Sequence, residues 1–238
     1  MKINRLIIIF LLFLSCLTLA QEVEKKENSF EYFEVYDPLE PLNRRIYYFN
    51  YQFDKYIFLP GVNFYKTITP EPLRKGVNNF FKNSNNINTA GNSILQFKIA
   101  KAMRAIGRFT INTTLGLGGL FDVASSMGMP KPYEDFGLTL AHYGVGKGPY
   151  LVLPILGPSS LRDALGKGVD TMGKGTLYHT ADLDELNHIG VSTLYALNER
   201  MHVPFEYYQT GSPFEYEYIR FLYFKYRKLQ AELGSEVF

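Results

Sequence analysis

Four histidines, His142, His179, His188 and His202, are the first side chains to test for chemistry. His179 and His188 lie nine apart and the other two stand alone, so none has the H-E-x-x-H spacing that turns two imidazoles toward one zinc. The stretch Gly157-Pro158-Ser159-Ser160 lacks the G-x-S-x-G elbow on which an α/β-hydrolase mounts its nucleophile. Ser159 or Ser160 with His142 and Asp163 is the one nucleophile, base and acid set to weigh as a hydrolase. Structural caps account for Asp163 and Asp170 more simply. Cys16 is the only cysteine. Once it is removed or lipidated, disulfides, thiolate metal sites and cysteine nucleophiles are excluded. Leu115, Gly116, Leu117, Gly118, Gly119, Leu120 and Phe121 do not spell G-x-G-x-x-G, and they follow a helix rather than a strand, so a dinucleotide site is rejected. The expectation is no catalytic residue, no metal and no cofactor.

The surrounding stretches look built for apolar company. Between Glu134 and Pro158 stand glycines 137, 144, 146, 148 and 157 and prolines 149, 154 and 158. Glycine opens backbone angles closed to other residues, and proline fixes φ and removes a donor, so neither a regular helix nor a central strand is expected there. Yet Leu151 to Leu156 is too apolar for a surface loop and must be buried in protein or line a cavity or membrane surface. Residues 157–175 carry five glycines, Gly157 included, and are expected to move relative to the helices. Leu115 to Phe121 reads as a flexible apolar hairpin.

The N-terminal 20 residues read as a secretion signal: Lys2 and Arg5, then an unbroken apolar run from Leu6 to Leu14, too short to span a bilayer. Two processing routes stand open. Leu12 to Cys16 resembles a bacterial lipobox with Cys16 as lipidated N-terminus, and Thr18-x-Ala20 offers a conventional cleavage site. Without residues 1–20 the bases and acids balance at 23 each, which argues against nucleic acid, a ligand that needs a basic footprint. Residues 21–36 form a charged tether.

From Leu42 or Asn43 a helix is expected up to Leu59-Pro60-Gly61. It carries one apolar stripe (Ile46, Phe49, Phe53, Tyr56, Ile57) and a second (Tyr47, Tyr51, Phe58), with Asn43, Asn50 and Asp54 between them. Two stripes meet two different apolar surroundings. A short helix is predicted over Pro72 to Phe81, closing in the turn-rich KNSNNIN. Asn92-Ser93 is then predicted to cap a helix to Thr110, with Lys98, Lys101, Arg104 and Arg108 as a cationic ridge along a membrane interface. Thr180, with Asp182, Asp184 and Glu185, opens another helix. In the last one, Ser212, Pro213 and Glu215 form a capping box, and seven aromatics fall between Phe214 and Tyr226. No segment after the leader reaches the length of a spanning helix.

Taken together, these stretches resemble the MlaA/VacJ family of outer-membrane lipid-asymmetry proteins. The resemblance covers roughly 37–230 and rests on DPLE at 37–40 with Asn43-Arg44 and Phe49-Asn50; on Asn79-Phe80, Arg108 and Ile111-Asn112-Thr113; on the glycines 116, 118 and 119; and above all on His142 to Tyr150, HYGVGKGPY. It implies a mainly α fold: a ring of amphipathic interfacial helices around a central lipid channel, with glycine-rich irregular loops, in a single domain over 37–233 followed by a short tail at 234–238. It also implies intermembrane phospholipid transport, with outer-leaflet lipid passing through the channel to a soluble periplasmic carrier of the MlaC type, beside a trimeric porin and without catalysis. By position in the family motif, Tyr48, Phe49 and Asn50 belong to the lipid path, and Leu115 to Phe121 to its gate. A phospholipase and a non-catalytic porin scaffold are the competing readings.

Overall fold

The computed structural model describes residues 36–180, 185–209 and 211–233. The signal and lipidation readings at residues 1–20, most of the tether, Asp182, Asp184 and the tail lie outside them. The fold is mainly helical. Its elements are α1 (Glu40–Phe53), a π turn (Asp54–Phe58), α2 (Leu59–Ile68), α3 (Glu71–Leu95), α4 (Ile99–Thr114), the single turn α5 (Val123–Ser126), α6 (Phe136–His142), β1 (Tyr150–Leu153), β2 (Gly157–Ser160), α7 (Leu161–Thr180), α8 (Glu185–Met201) and α9 (Glu215–Leu233). The longest packing interface joins α3 to α4, α6 lies on α7, and α1 lies along β1.

Several boundaries depart from those predicted, each for a physical reason. Leu59-Pro60-Gly61 does not end the first helix. One wide turn precedes the proline, closed by the Leu59 amide onto the Asp54 carbonyl, and α2 starts with Pro60 in its first turn, where no amide is needed. The asparagine-rich run after Phe81 does not break α3 either. Asn83, Asn86 and Asn92 are buried, and Asn83 donates to Thr113 at 3.0 Å while Asn92 donates to Asp170 at 3.1 Å. These long-range bonds override a weak helix propensity. The chain turns only at Phe97, in the left-handed region with φ 58°, where the Lys98 amide closes onto the Ser93 carbonyl at 2.9 Å. Asn92 and Ser93 therefore sit inside α3 rather than capping α4.

The central segment is regular as well. Tyr150 to Leu153 pairs antiparallel with Gly157 to Ser160, and Tyr150 and Val152 are buried, as so apolar a run requires. Residues 161–175 belong to α7. Its Gly166 serves close packing, since a Cβ there would come within 2.4 Å of the Gly137 amide nitrogen. Thr180 ends α7 instead of opening α8. In α9 the helix starts at Glu215: Ser212 Oγ accepts from the Phe214 amide at 3.2 Å, and the Glu215 carboxylate takes the Tyr47 hydroxyl at 2.8 Å.

The distribution of side chains is inverted. Among the described residues, 22 polar or charged residues are buried against 13 apolar ones, while 37 large apolar or aromatic side chains are exposed. An exposed apolar residue is ordinary; a largely polar interior inside an apolar skin is not. Along α9 and the residue before it, Phe214, Tyr218, Leu222 and Tyr226 are exposed at intervals of four, while Tyr216, Arg220 and Arg227 are buried. One helical face is thus apolar and exposed, and the other holds charges inside the protein.

Candidate lipid-facing site and its polar interior

The α1 helix carries Asn43, Tyr47, Asn50 and Asp54 on one buried face. Asn43 Nδ2 donates to the Tyr150 carbonyl at 3.0 Å, and its Oδ1 accepts from the Val152 amide at 2.9 Å. Two turns on, Asn50 Nδ2 donates to Leu153 O at 2.9 Å and Oδ1 accepts from the Ile155 amide at 2.7 Å. A carboxamide offers an N–H donor and a carbonyl acceptor side by side, as a peptide unit does, and the second N–H of Asn43 goes to Asp37 at 2.8 Å. The two asparagines therefore stand in for a neighbouring strand along β1, and satisfy an edge that would otherwise cost desolvation. Asp54 closes the stripe, taking Arg200 through both oxygens at 2.5 and 2.8 Å.

The expected lipid-path trio is thereby divided. Tyr48 and Phe49 are exposed and point away from the hairpin. Asn50 is buried and holds the hairpin turn in place. At that turn Ile155, with φ 67°, and Leu156 are exposed, so the hairpin presents an apolar tip beyond a clamped base.

The cationic ridge of α4 is turned inward, opposite to its expected orientation. Lys101 and Lys98 place Nζ at 2.8 and 3.0 Å from Glu134 Oε1, and Gln96 donates to Oε2 at 2.9 Å. Burial pushes the Glu134 carboxyl up, and the Lys101, Gln96 and Lys98 donors more than reverse it, leaving it below the usual range. Arg108 donates to Asp122 at 2.7 Å and to the Met129 carbonyl at 2.7 Å. The face of α4 that meets the surroundings is Ile99, Met103 and Ile106. Spacing of the cations by three and four residues marks one face of a helix, but not which way it faces.

At the end of α4, Leu115 to Phe121 make a knuckle. The Gly118 amide bonds Thr113 O at 2.9 Å, Gly119 bonds Asn112 O at 2.8 Å, and Phe121 bonds Gly116 O at 3.0 Å. Asn79 on α3 reaches the Leu120 carbonyl at 3.0 Å. Leu115, Leu117, Leu120 and Phe121 all project outward. It is a compact, internally bonded turn rather than an open hairpin, with its backbone inward and its apolar side chains outward.

The hydrolase candidates are committed elsewhere. Ser159 Oγ donates to the Ser160 carbonyl at 3.4 Å, and Ser160 Oγ caps α7 by accepting from the Asp163 amide at 3.2 Å. The Asp163 carboxylate takes Arg227 Nε and Nη2, each at 2.9 Å, while the same guanidinium reaches Asp135 at 2.7 and 3.0 Å. His142 packs edge-on against the Tyr143 ring at 5.2 Å. Burial raises the Asp163 carboxyl, and Arg227 then Arg162 pull it below the usual range. The arrangement is an ionic rivet between α9, α6 and α7, completed by the Tyr223 hydroxyl, which donates to Asp163 at 2.5 Å. Among the described residues no group of His, Cys, Asp and Glu is disposed to hold a metal ion, and no helix is long and apolar enough to cross a membrane.

The asparagine–strand register, the Glu134 cluster and the Arg227 rivet were not foreseen as a set. The 7- and 4-residue steps from Asn43 to Asn50 to Asp54 carry a readable signal, since they fall on one helical face. The partners of Glu134 and Arg227 depend on long-range folding and leave no local mark.

Residues 35–230 match the family described as MlaA lipoprotein. The chain is 39% identical over 217 residues to a protein of Rickettsia conorii, covering 86% of this chain and 85% of that one. It is 42% identical over 140 residues to the intermembrane phospholipid transport system lipoprotein MlaA of Escherichia coli K12, spanning 56% of this chain and 55% of that protein. It is also similar to a chain solved in work on the structural basis for maintenance of bacterial outer membrane lipid asymmetry, at TM-score 0.66 and 32% identity, covering 82% of this chain and 99% of the other. The chain belongs to the MlaA lipoprotein family.

Proposed function

We propose that this chain transports phospholipid between the membranes of a Gram-negative envelope. It lies at the outer membrane with its apolar helical faces among acyl chains, and is not an enzyme. The observation that carries this reading is the inverted distribution of side chains: Tyr48, Phe49, Phe97, Met103, Leu117 and Tyr226 exposed, Lys101, Arg108 and Glu134 buried. In water such a skin would aggregate. Among acyl chains it is matched to its solvent. The relatives named for intermembrane phospholipid transport support the same direction.

In the finer reading, the helices ring a channel on the periplasmic face. Lipid leaves the outer leaflet past Tyr48 and Phe49, Leu115 to Phe121 gates the passage, and a soluble periplasmic carrier receives the lipid while a trimeric porin holds the protein in place. A strain lacking the gene should expose phospholipid on its surface and become sensitive to detergent with EDTA, with both traits reversed by the wild-type chain. Normal surface lipid in that strain would refute the transport reading. Lysolipid formation by purified protein would instead indicate the hydrolase reading, which the commitment of Asp163 to Arg227 disfavours.

A further inference from the structure

At the turn between α3 and α4, two ammonium groups share one carboxylate. Lys98 and Lys101 place Nζ at 3.0 and 2.8 Å from the same Glu134 oxygen, Oε1, while Gln96 takes Oε2 at 2.9 Å. Among the described residues no other carboxylate lies within ion-pairing distance of either lysine. The cluster therefore carries one positive charge in excess. Lys101 and Glu134 are shut in, and Lys98, with 34% of its side chain exposed, is the open member. An ammonium group has three donors. Lys98 spends one on Glu134, which leaves two for an acceptor from outside.

The surplus charge stands among apolar side chains. Phe97, at the turn itself, is 78% exposed, and Leu95, Ile99 and Met103 on either side of it are exposed as well. The exposed Tyr143 donates its hydroxyl to the Leu95 carbonyl beside them. In water, dissolved counterions would screen the extra charge. A turn set among acyl chains has only lipid head groups to supply one. Lysine suits that level, because its stem lies along apolar surface while the ammonium reaches out to the polar layer. The acceptor waiting there is phosphate, which lysine binds as a point charge. The first turn of α4 holds no acidic residue, so that helix end does not oppose an anion.

We propose that Lys98, backed by Lys101, holds the phosphate of an anionic phospholipid whose acyl chains lie against Phe97, Leu95 and Ile99. The site rests on the reading of the apolar skin as lipid-facing, and adds to it a fixed attachment point with a charge preference. One surplus positive charge matches the single negative charge of phosphatidylglycerol. Phosphatidylcholine brings an ammonium of its own, which answers its phosphate and is repelled by the cluster.

The test is native mass spectrometry of the full chain, purified in detergent and equilibrated with equal amounts of phosphatidylglycerol and phosphatidylcholine. The wild type should retain about fivefold more of the former, the factor that one lysine near a lipid surface supplies. Lys98→Gln should bring that ratio close to unity and Lys98→Arg should keep it. Lys75→Gln, which removes an exposed charge paired with Glu71 elsewhere on the surface, should keep it too. Circular dichroism melts establish that the variants are folded. Inorganic phosphate in excess should leave the bound phosphatidylglycerol in place, and its displacement would give the site to free phosphate and overturn the lipid assignment. Equal loading of the wild type, a ratio unchanged in folded Lys98→Gln, or an equal fall in Lys75→Gln overturns the site but leaves transport standing. Failure of the wild type to retain either lipid overturns the site and the lipid-facing skin together.

Discussion

Lys101 places its ammonium nitrogen 2.8 Å from Glu134, a carboxylate whose side chain is 2% exposed. The pair lies beneath α4, with Ile99, Met103 and Ile106 on the opposite face. Removing one partner of a buried pair strands the other charge, at a cost of about 3 kcal/mol or more. Glu134→Ala should therefore lose that much in equilibrium unfolding in detergent. Lys75→Ala, which opens a solvent-exposed pair with Glu71, should leave the midpoint unmoved.

The same cluster sets an acid limit. Glu134, Asp163 and Asp122 are all held below the ordinary carboxyl range in the folded chain. A depressed carboxyl stabilises the fold above its unfolded pKa of about 4, and that contribution is lost as pH falls through the folded value. Melting temperature in detergent should therefore decline as pH drops below about 4. In Glu134→Gln and Asp163→Asn the decline should be shallower, from a lower starting point. A wild-type curve rising toward acid would contradict the buried ion pairs.

Asn43 and Asn50 make a separable prediction. Asn50→Ala leaves the Leu153 carbonyl and the Ile155 amide without that partner, at about 1–3 kcal/mol for a group left unsatisfied. Hydrogen exchange at Ile155 should accelerate while the amides of α4 stay protected. Asn43→Asp keeps an acceptor for the Val152 amide and removes the donor to Tyr150. It should preserve Val152 protection better than Asn43→Ala does.

Within the knuckle, three glycines should rank by what a methyl group would strike. At Gly116 it would lie 2.3 Å from the Phe121 carbonyl oxygen, and at Gly119 2.7 Å from Asn83 Nδ2 with φ +93°, whereas at Gly118 the space is open and only φ +71° opposes it. Gly116→Ala should be the most destabilising, because backbone is what must yield. Gly118→Ala should cost about 1 kcal/mol, the ordinary penalty for a left-handed alanine. Thermal melts of the three variants give the order directly.

If acyl chains surround α4 and the knuckle that follows it, a charge placed on their outer faces should loosen attachment. Met103→Glu and Leu117→Glu should each lower flotation of the purified chain with liposomes, and Lys82→Glu, at a position already polar, should not. Unchanged flotation of all three would contradict a lipid-facing skin.

Much of this was legible in residue order. The double stripe of α1, the outward aromatics of α9 and the HYGVGKGPY segment all pointed to an apolar environment and to the family. Orientation was not legible. Lys98, Lys101 and Arg108 define a ridge by spacing, and only Glu134 and Asp122, brought in from 14 to 36 residues away by folding, turn that ridge inward. The continuity of α3 through its asparagines was hidden for the same reason. Local propensity argued for a turn, and distant partners such as Thr113 and Asp170 decided otherwise. The strand mimicry of Asn50 lies on the same link: its side-chain type is visible, and its partners belong to another part of the chain.

The wide turn at Asp54 to Phe58 also sets a phase. It inserts one residue beyond the α repeat, and each residue advances a helix by about 100°. On the far side of it, α2 directs Val62 and Tyr65 inward and Phe64 and Ile68 outward. Shortening that turn by a single residue would swing α2 by about a quarter of a revolution, bringing its greasy side against the polar interior and returning the ring of Pro60 to collision with the preceding carbonyl. The turn's exposed side chains Lys55, Tyr56 and Ile57 therefore tolerate change far better than the segment tolerates a change of length.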